Sequence, residues 1–172
     1  MEKHTNTIIA PHGDDEIIGC FSLLHNNFVR RVIYPKDNIY GEKDFAISQE
    51  KYGFDLMPFD LEELCLWAER AESEGGLLLA PDPIWEYHPK HKIIGNRLME
   101  HIKTSEISNV VFYSTNMNAP YIQELPINRN AFKELALDEC YPNKRTLWQY
   151  DHKYFLFEGY ISPLNIDCIW KD

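Results

Sequence analysis

Short apolar runs alternate with longer amphipathic stretches along this chain. Thr7-Ile8-Ile9-Ala10 predicts a short buried strand. From Asp15 to about Leu24, Ile17, Ile18, Phe21 and Leu24 recur at helical spacing. Val29 to Tyr34 predicts a second strand closed by Pro35. Glu42 to Tyr52 predicts a helix that stops at Gly53. Leu56-Met57-Pro58-Phe59 predicts a third strand, confined to a sheet edge because Pro58 has no N–H to give a neighbour. Leu61 to Glu74 reads as a helix ended by Gly75-Gly76. The compact run Leu77-Leu78-Leu79-Ala80-Pro81 has the character of a central parallel strand. A helix follows from about Pro89 to Ile102, then a strand at Val110–Tyr113 and a helix from Ala131 to Cys140 ended by Pro142. The aromatic C-terminal stretch, with Tyr154, Phe155, Phe157, Tyr160 and Trp170, carries no clear period.

This alternation predicts an α/β protein: a mostly parallel sheet with helices on both faces. With 172 residues, no internal repeat and no Ser/Gly linker, the expectation is one domain over residues 1–172. The 17 basic and 27 acidic residues leave a net charge of −10, which argues against a nonspecific DNA or RNA binder. No apolar run approaches the roughly 20 residues that span a bilayer, and the N-terminal stretch has no signal-peptide character, so no membrane partner and a cytoplasmic location are expected. Cys20, Cys65, Cys140 and Cys168 form no CxxC pair and are expected to be free, buried thiols.

Functional groups of such sheets gather past the carboxyl ends of strands. Two polar clusters fall there. His12-Gly13-Asp14-Asp15-Glu16 follows the first strand and opens a helix. Helix capping would account for one or two of its acids. It does not account for His12 or for two consecutive aspartates. Imidazole beside carboxylate suits zinc or ferrous iron. His88-Pro89-Lys90-His91 places two histidines about one turn apart at a helix start, with Pro89 in the first turn. Surface histidines in a polar loop are the plain alternative. Catalytic zinc commonly takes three protein ligands and keeps one open position, and His12, an aspartate and one of these histidines would supply that set.

The two clusters resemble the signature motifs of the LmbE/PIG-L-like metal-dependent de-N-acetylases, a strand followed by His-Pro-Asp-Asp-Glu and a later strand followed by His-Pro-Asp-His. Here they read Ile8-Ile9-Ala10-Pro11-His12-Gly13-Asp14-Asp15-Glu16 and, after Leu77–Pro81, Tyr87-His88-Pro89-Lys90-His91. Weaker similarity continues through Lys133 to Tyr141 and near Phe155–Glu158. The resemblance implies a Rossmann-like fold and a zinc ion, with Fe²⁺ as the other candidate. It implies His12, Asp15 and His91 as metal ligands, Asp14 as general base, and His88, as imidazolium, stabilising the oxyanion. The implied reaction releases acetate from an N-acetylated small molecule of the N-acetylglucosamine type.

Three departures stand out. Gly13 replaces the family proline, which is expected to loosen the turn. Lys90 replaces the acid expected to support His88, and offers positive charge to the substrate or oxyanion instead. Tyr34-Pro35-Lys36-Asp37-Asn38 lacks the usual Thr/Gly turn. Glu16 reads either as support for a ligand or as a helix cap. His4, His25, His101 and His152 read as surface or satisfied histidines, and Trp85, Tyr87 and Tyr121 as candidates to stack on a sugar. An acetamide on a nucleoside or other amine is a second substrate class, and a non-catalytic metal- or sugar-binding domain a third reading.

Overall fold

A computed structural model describes residues 4–144 and 157–163. Tyr154, Phe155, Trp170, His152 and Cys168 lie outside the described residues. Those described form a mixed α/β fold of Rossmann-like type. Six strands make one sheet in the order β3-β2-β1-β4-β5-β8. They are β1 (Asn6–Ile9), β2 (Val29–Pro35), β3 (Asp55–Phe59), β4 (Leu78–Pro81), β5 (Val110–Tyr113) and β8 (Tyr160–Ile161). The first five run parallel and β8 pairs antiparallel with β5. As Pro58 requires, β3 lies at the edge. β4 sits centrally between β1 and β5. Two short strands, β6 (Gln123–Glu124) and β7 (Phe157–Glu158), pair separately.

Helices α1 (Asp15–His25), α2 (Ala46–Tyr52) and α5 (Ile127–Cys140) meet over one face of the sheet, and α3 (Leu64–Ser73) and α4 (Pro89–Thr104) pack together over the other. Strand alternation divides the core accordingly. Ile8 packs with Ile17, Phe21 and Leu137 on one side, and Ile9 with Leu64, Trp67 and Leu98 on the other. Two expected helices begin as 3₁₀ turns, at Gly41–Phe45 and Leu61–Glu63; the second is set by a capping box between Asp60 and Glu63. α5 starts four residues earlier than its apolar spacing predicts, directly after Pro126.

Strand order reverses between β1 and β4. From β1 the chain builds outward to β2 and β3, then crosses back to β4 and β5. That switch point opens a crevice at the strand carboxyl ends. Both polar clusters lead out of it.

α1 contains a break that α5 and β7 repair. Cys20 leaves the helical region (φ −136°, ψ 25°), so the ladder bond from Ser22 N–H to Ile18 O is interrupted. Ser22 N–H donates to Glu158 instead, at 3.1 Å, and Lys133 Nζ donates to Ile18 O and Phe157 O. Lys133 is fully buried while its neighbours Phe132 and Leu135 face outward. Desolvation lowers its ammonium from the usual 10.5 to about 8, partly offset by Glu158. A folded-state pKa depressed in a cation means that the unfolded chain holds the proton more tightly between pH 8 and 10.5. Stability contributed by this site therefore rises with pH across that window. We expect the stability of the wild type relative to Lys133→Met to grow by about 1 kcal/mol between pH 7 and 9, read by urea unfolding at both values. A constant difference would show that the amine titrates normally.

Candidate metal centre

The loop after β1 brings His12 to the switch point and turns into α1. Asp14 occupies the N-cap position with a left-handed backbone (φ 105°) and makes no side-chain cap bond. The Asp14 side chain therefore does not cap α1. Asp15 Oδ2 accepts from His12 N–H at 2.8 Å. Glu16 Oε2 accepts from Asp14 N–H at 3.1 Å, bracing the strained turn. Glu16 Oε1 accepts from Ser48 Oγ at 2.7 Å and from the Tyr141 hydroxyl. Burial lifts the Glu16 carboxyl to about 7 against those bonds. Glu16 thus ties the N-cap turn of α1 to α2 and to the end of α5.

Gly13 does not loosen the turn. Its N–H donates to Asp44 Oδ2 at 2.7 Å, and a Cβ there would stand 2.6 Å from Asp44. A proline would lose the bond and collide. Lys144 Nζ binds Asp44 (3.2 Å) and the Gly13 carbonyl, and stands 4.0 Å from Asp14 Oδ2. Burial and the neighbouring Asp15 push the Asp14 carboxyl well above its usual range, with Lys144 pulling the other way.

The second cluster is set by the β4–α4 loop. Asp82 Oδ1 accepts from Ile84 N–H (2.6 Å) and Trp85 N–H (3.0 Å), folding the loop back. Gly95 lets α4 approach the end of β4; a Cβ there would meet Pro81 O at 2.5 Å. His88 caps α4 by accepting Lys90 N–H on Nδ1 at 3.2 Å. In the neutral ring this fixes the proton on Nε2, making that atom a donor. Burial and the neighbouring His12 and His91 lower the His88 pKa, which works against the imidazolium expected. The Lys90 side chain pairs with Asp37 at 2.9 Å.

His91 is buried in the first turn of α4, and its ring meets His12 and Asp15. His12 Nδ1, Asp15 Oδ2 and His91 Nε2 lie 3.1–3.2 Å from one another. Ligands 2.0–2.1 Å from a tetrahedral ion stand about 3.3 Å apart, so this triangle fits a small divalent cation. The three histidines His12, His88 and His91 also offer ring nitrogens within 4.8 Å of one another, a group that could hold a metal ion. Behind His91, Glu86 Oε2 sits 3.2 Å from Nδ1, an ion-pair contact without the alignment of a hydrogen bond. Glu86 is itself anchored by Thr115 N–H and Oγ1. Burial opposes charge on His91, but Asp15 and Glu86 outweigh it and hold the imidazolium to about pH 10. Asp15 is buried too, yet His91 and His12 hold its carboxyl well below the usual range.

Glu86 was not among the residues the sequence singles out. Neither were Lys144 and Asp44, which line the cleft in front of Asp14. That cleft holds about 1090 Å³, and Tyr34, Tyr40 and Lys43 border it with His12, Asp14 and His88. Tyr34 and Tyr40 supply its rings in place of the expected Trp85, Tyr87 and Tyr121; the Tyr121 hydroxyl is engaged with Asp82 at 2.5 Å. His25 stacks between Phe21 and Phe132, and His101 stands 3.4 Å from Glu69 without the alignment of a hydrogen bond, its Nε2 buried. Cys20 and Cys140 are buried free thiols, and Cys65 is half-exposed. No helix among the described residues is long and apolar enough to cross a membrane. No family model, curated protein or solved structure matches the chain.

Proposed function

We propose that the chain is a divalent-metal-dependent amide hydrolase acting on an N-acylated small molecule. The resemblance of both motifs to LmbE/PIG-L-like de-N-acetylases points to an amino sugar of the N-acetylglucosamine type. One observation carries the reading. Three donors converge at tetrahedral spacing, and beside them Asp14, a carboxylate outside the triangle, is held in a strained turn facing an open cleft. A purely structural ion has no use for that extra acid.

His12, Asp15 and His91 would hold the ion, with Glu86 orienting His91 from behind. Imidazole and carboxylate donors suit zinc, with ferrous iron next. When bound, such an ion supplies Lewis-acid polarisation of the carbonyl and lowers the pKa of a water towards about 7. Asp14 takes the proton of the attacking water and delivers it to the leaving nitrogen. Neutral His88, with its proton on Nε2, donates to the carbonyl oxygen as negative charge develops there. Water adds its oxygen to the carbonyl carbon, the C–N bond breaks, and a carboxylate and a free amine leave.

The test is to load the full chain with zinc, measure the metal stoichiometry, and follow carboxylate release from N-acyl amino sugars and N-acyl nucleosides. One zinc per chain with hydrolysis of at least one amide is the expected result. One zinc per chain with no hydrolysis across the panel would favour the binding-domain reading.

A further inference from the structure

His88 borders two spaces. One is the polar cleft with Asp14, Lys43 and Lys144. The other is a groove of about 530 Å³ between the ends of β2 and β3 and the first turns of α4. Its floor is apolar: Phe59 and Ile94 are each 1% exposed. On its rim Leu61 and Ile93 stand 36% and 53% exposed. The rim cations are already neutralised, Lys36 by Asp60 and Lys90 by Asp37. The groove therefore suits an uncharged apolar group, and its volume is that of a small-ligand site. Asp14 borders the cleft and not the groove.

This asymmetry orients an amide. The three substituents of a carbonyl carbon point about 120° apart. Asp14 must reach the nitrogen, so the amine lies in the cleft. His88 must reach the oxygen. The third substituent, the acyl chain, leaves the carbonyl on the side away from the amine, and the apolar space that adjoins the cleft there is the groove, which shares His88 with it. Resting on the hydrolase reading above, we propose that the groove takes the acyl side of the scissile bond. The substrates are then N-acyl amines whose chain extends well beyond acetyl, and the products are a medium-chain carboxylate and a free, hydroxylated amine.

The experiment compares N-acetyl-, N-butanoyl-, N-hexanoyl- and N-octanoylglucosamine on the zinc-loaded full chain. Binding of the same four compounds to the metal-free chain is measured by calorimetry. We expect kcat/KM and affinity to rise about twofold to fourfold per methylene until the groove is filled. In Ile93→Asp, and separately in Leu61→Asp, the octanoyl-to-acetyl ratio should fall towards one in both measurements. Acetyl turnover equal to or above octanoyl turnover, with flat binding, would overturn the acyl assignment and leave the hydrolase reading standing. Hydrolysis of none of the four would overturn the hydrolase reading, and the assignment of the groove to an acyl chain with it.

Discussion

Asparagine at position 14 is expected to lower amide hydrolysis by about 10²–10⁴-fold while the protein still takes up one metal ion. The change is close to isosteric. Asparagine tolerates the left-handed backbone that Asp14 adopts, and the bond from its N–H to Glu16 is untouched. What is lost is the capacity to hold a proton between the attacking water and the leaving nitrogen. The measurement is kcat/KM alongside metal stoichiometry. Undiminished turnover would remove Asp14 from the mechanism. A loss of metal equal to the loss of activity would instead make it a ligand.

His91→Ala is expected to abolish stoichiometric metal binding and to destabilise the fold by about 3–5 kcal/mol. The imidazole lies between two buried acids, 3.1 Å from Asp15 and 3.2 Å from Glu86. Without it those carboxylates face one another with no positive charge between them. Glu86→Gln separates the two effects. It keeps the ring and its ligating nitrogen but weakens the support behind it, for an expected 10–100-fold loss of metal affinity. Zinc titration and urea unfolding of both variants are the measurements. Metal uptake by His91→Ala at wild-type affinity would refute the ligand set.

The sheet was legible because its central strands are short apolar runs followed at once by polar residues. β1 ends into His12 and β4 leads to His88, so the strand period and the site chemistry point to one crevice. Pro58 marked the edge through its missing donor. The remainder was hidden for specific reasons. Glu86 is an acid in a loop, and only burial against Thr115 and His91 separates it from a solvated one. Lys133 looks like any exposed helical lysine; its partner is a carbonyl freed by a break in a helix more than a hundred residues away. β6, β7 and β8 have two residues each, too few for a period of two to register. Asp44 and Lys144 meet Gly13 only through the tertiary fold.

His88 has its Nδ1 engaged by the peptide N–H of Lys90, not by that residue's side chain. Any amino acid that keeps a peptide hydrogen at position 90 can hold the imidazole in the same tautomer, and proline alone among the twenty cannot. In the proposed reaction the side chain there has no part, and it is left to shape the groove wall. On that reading chemistry and selectivity rest on different atoms of one residue, so the second can drift without disturbing the first.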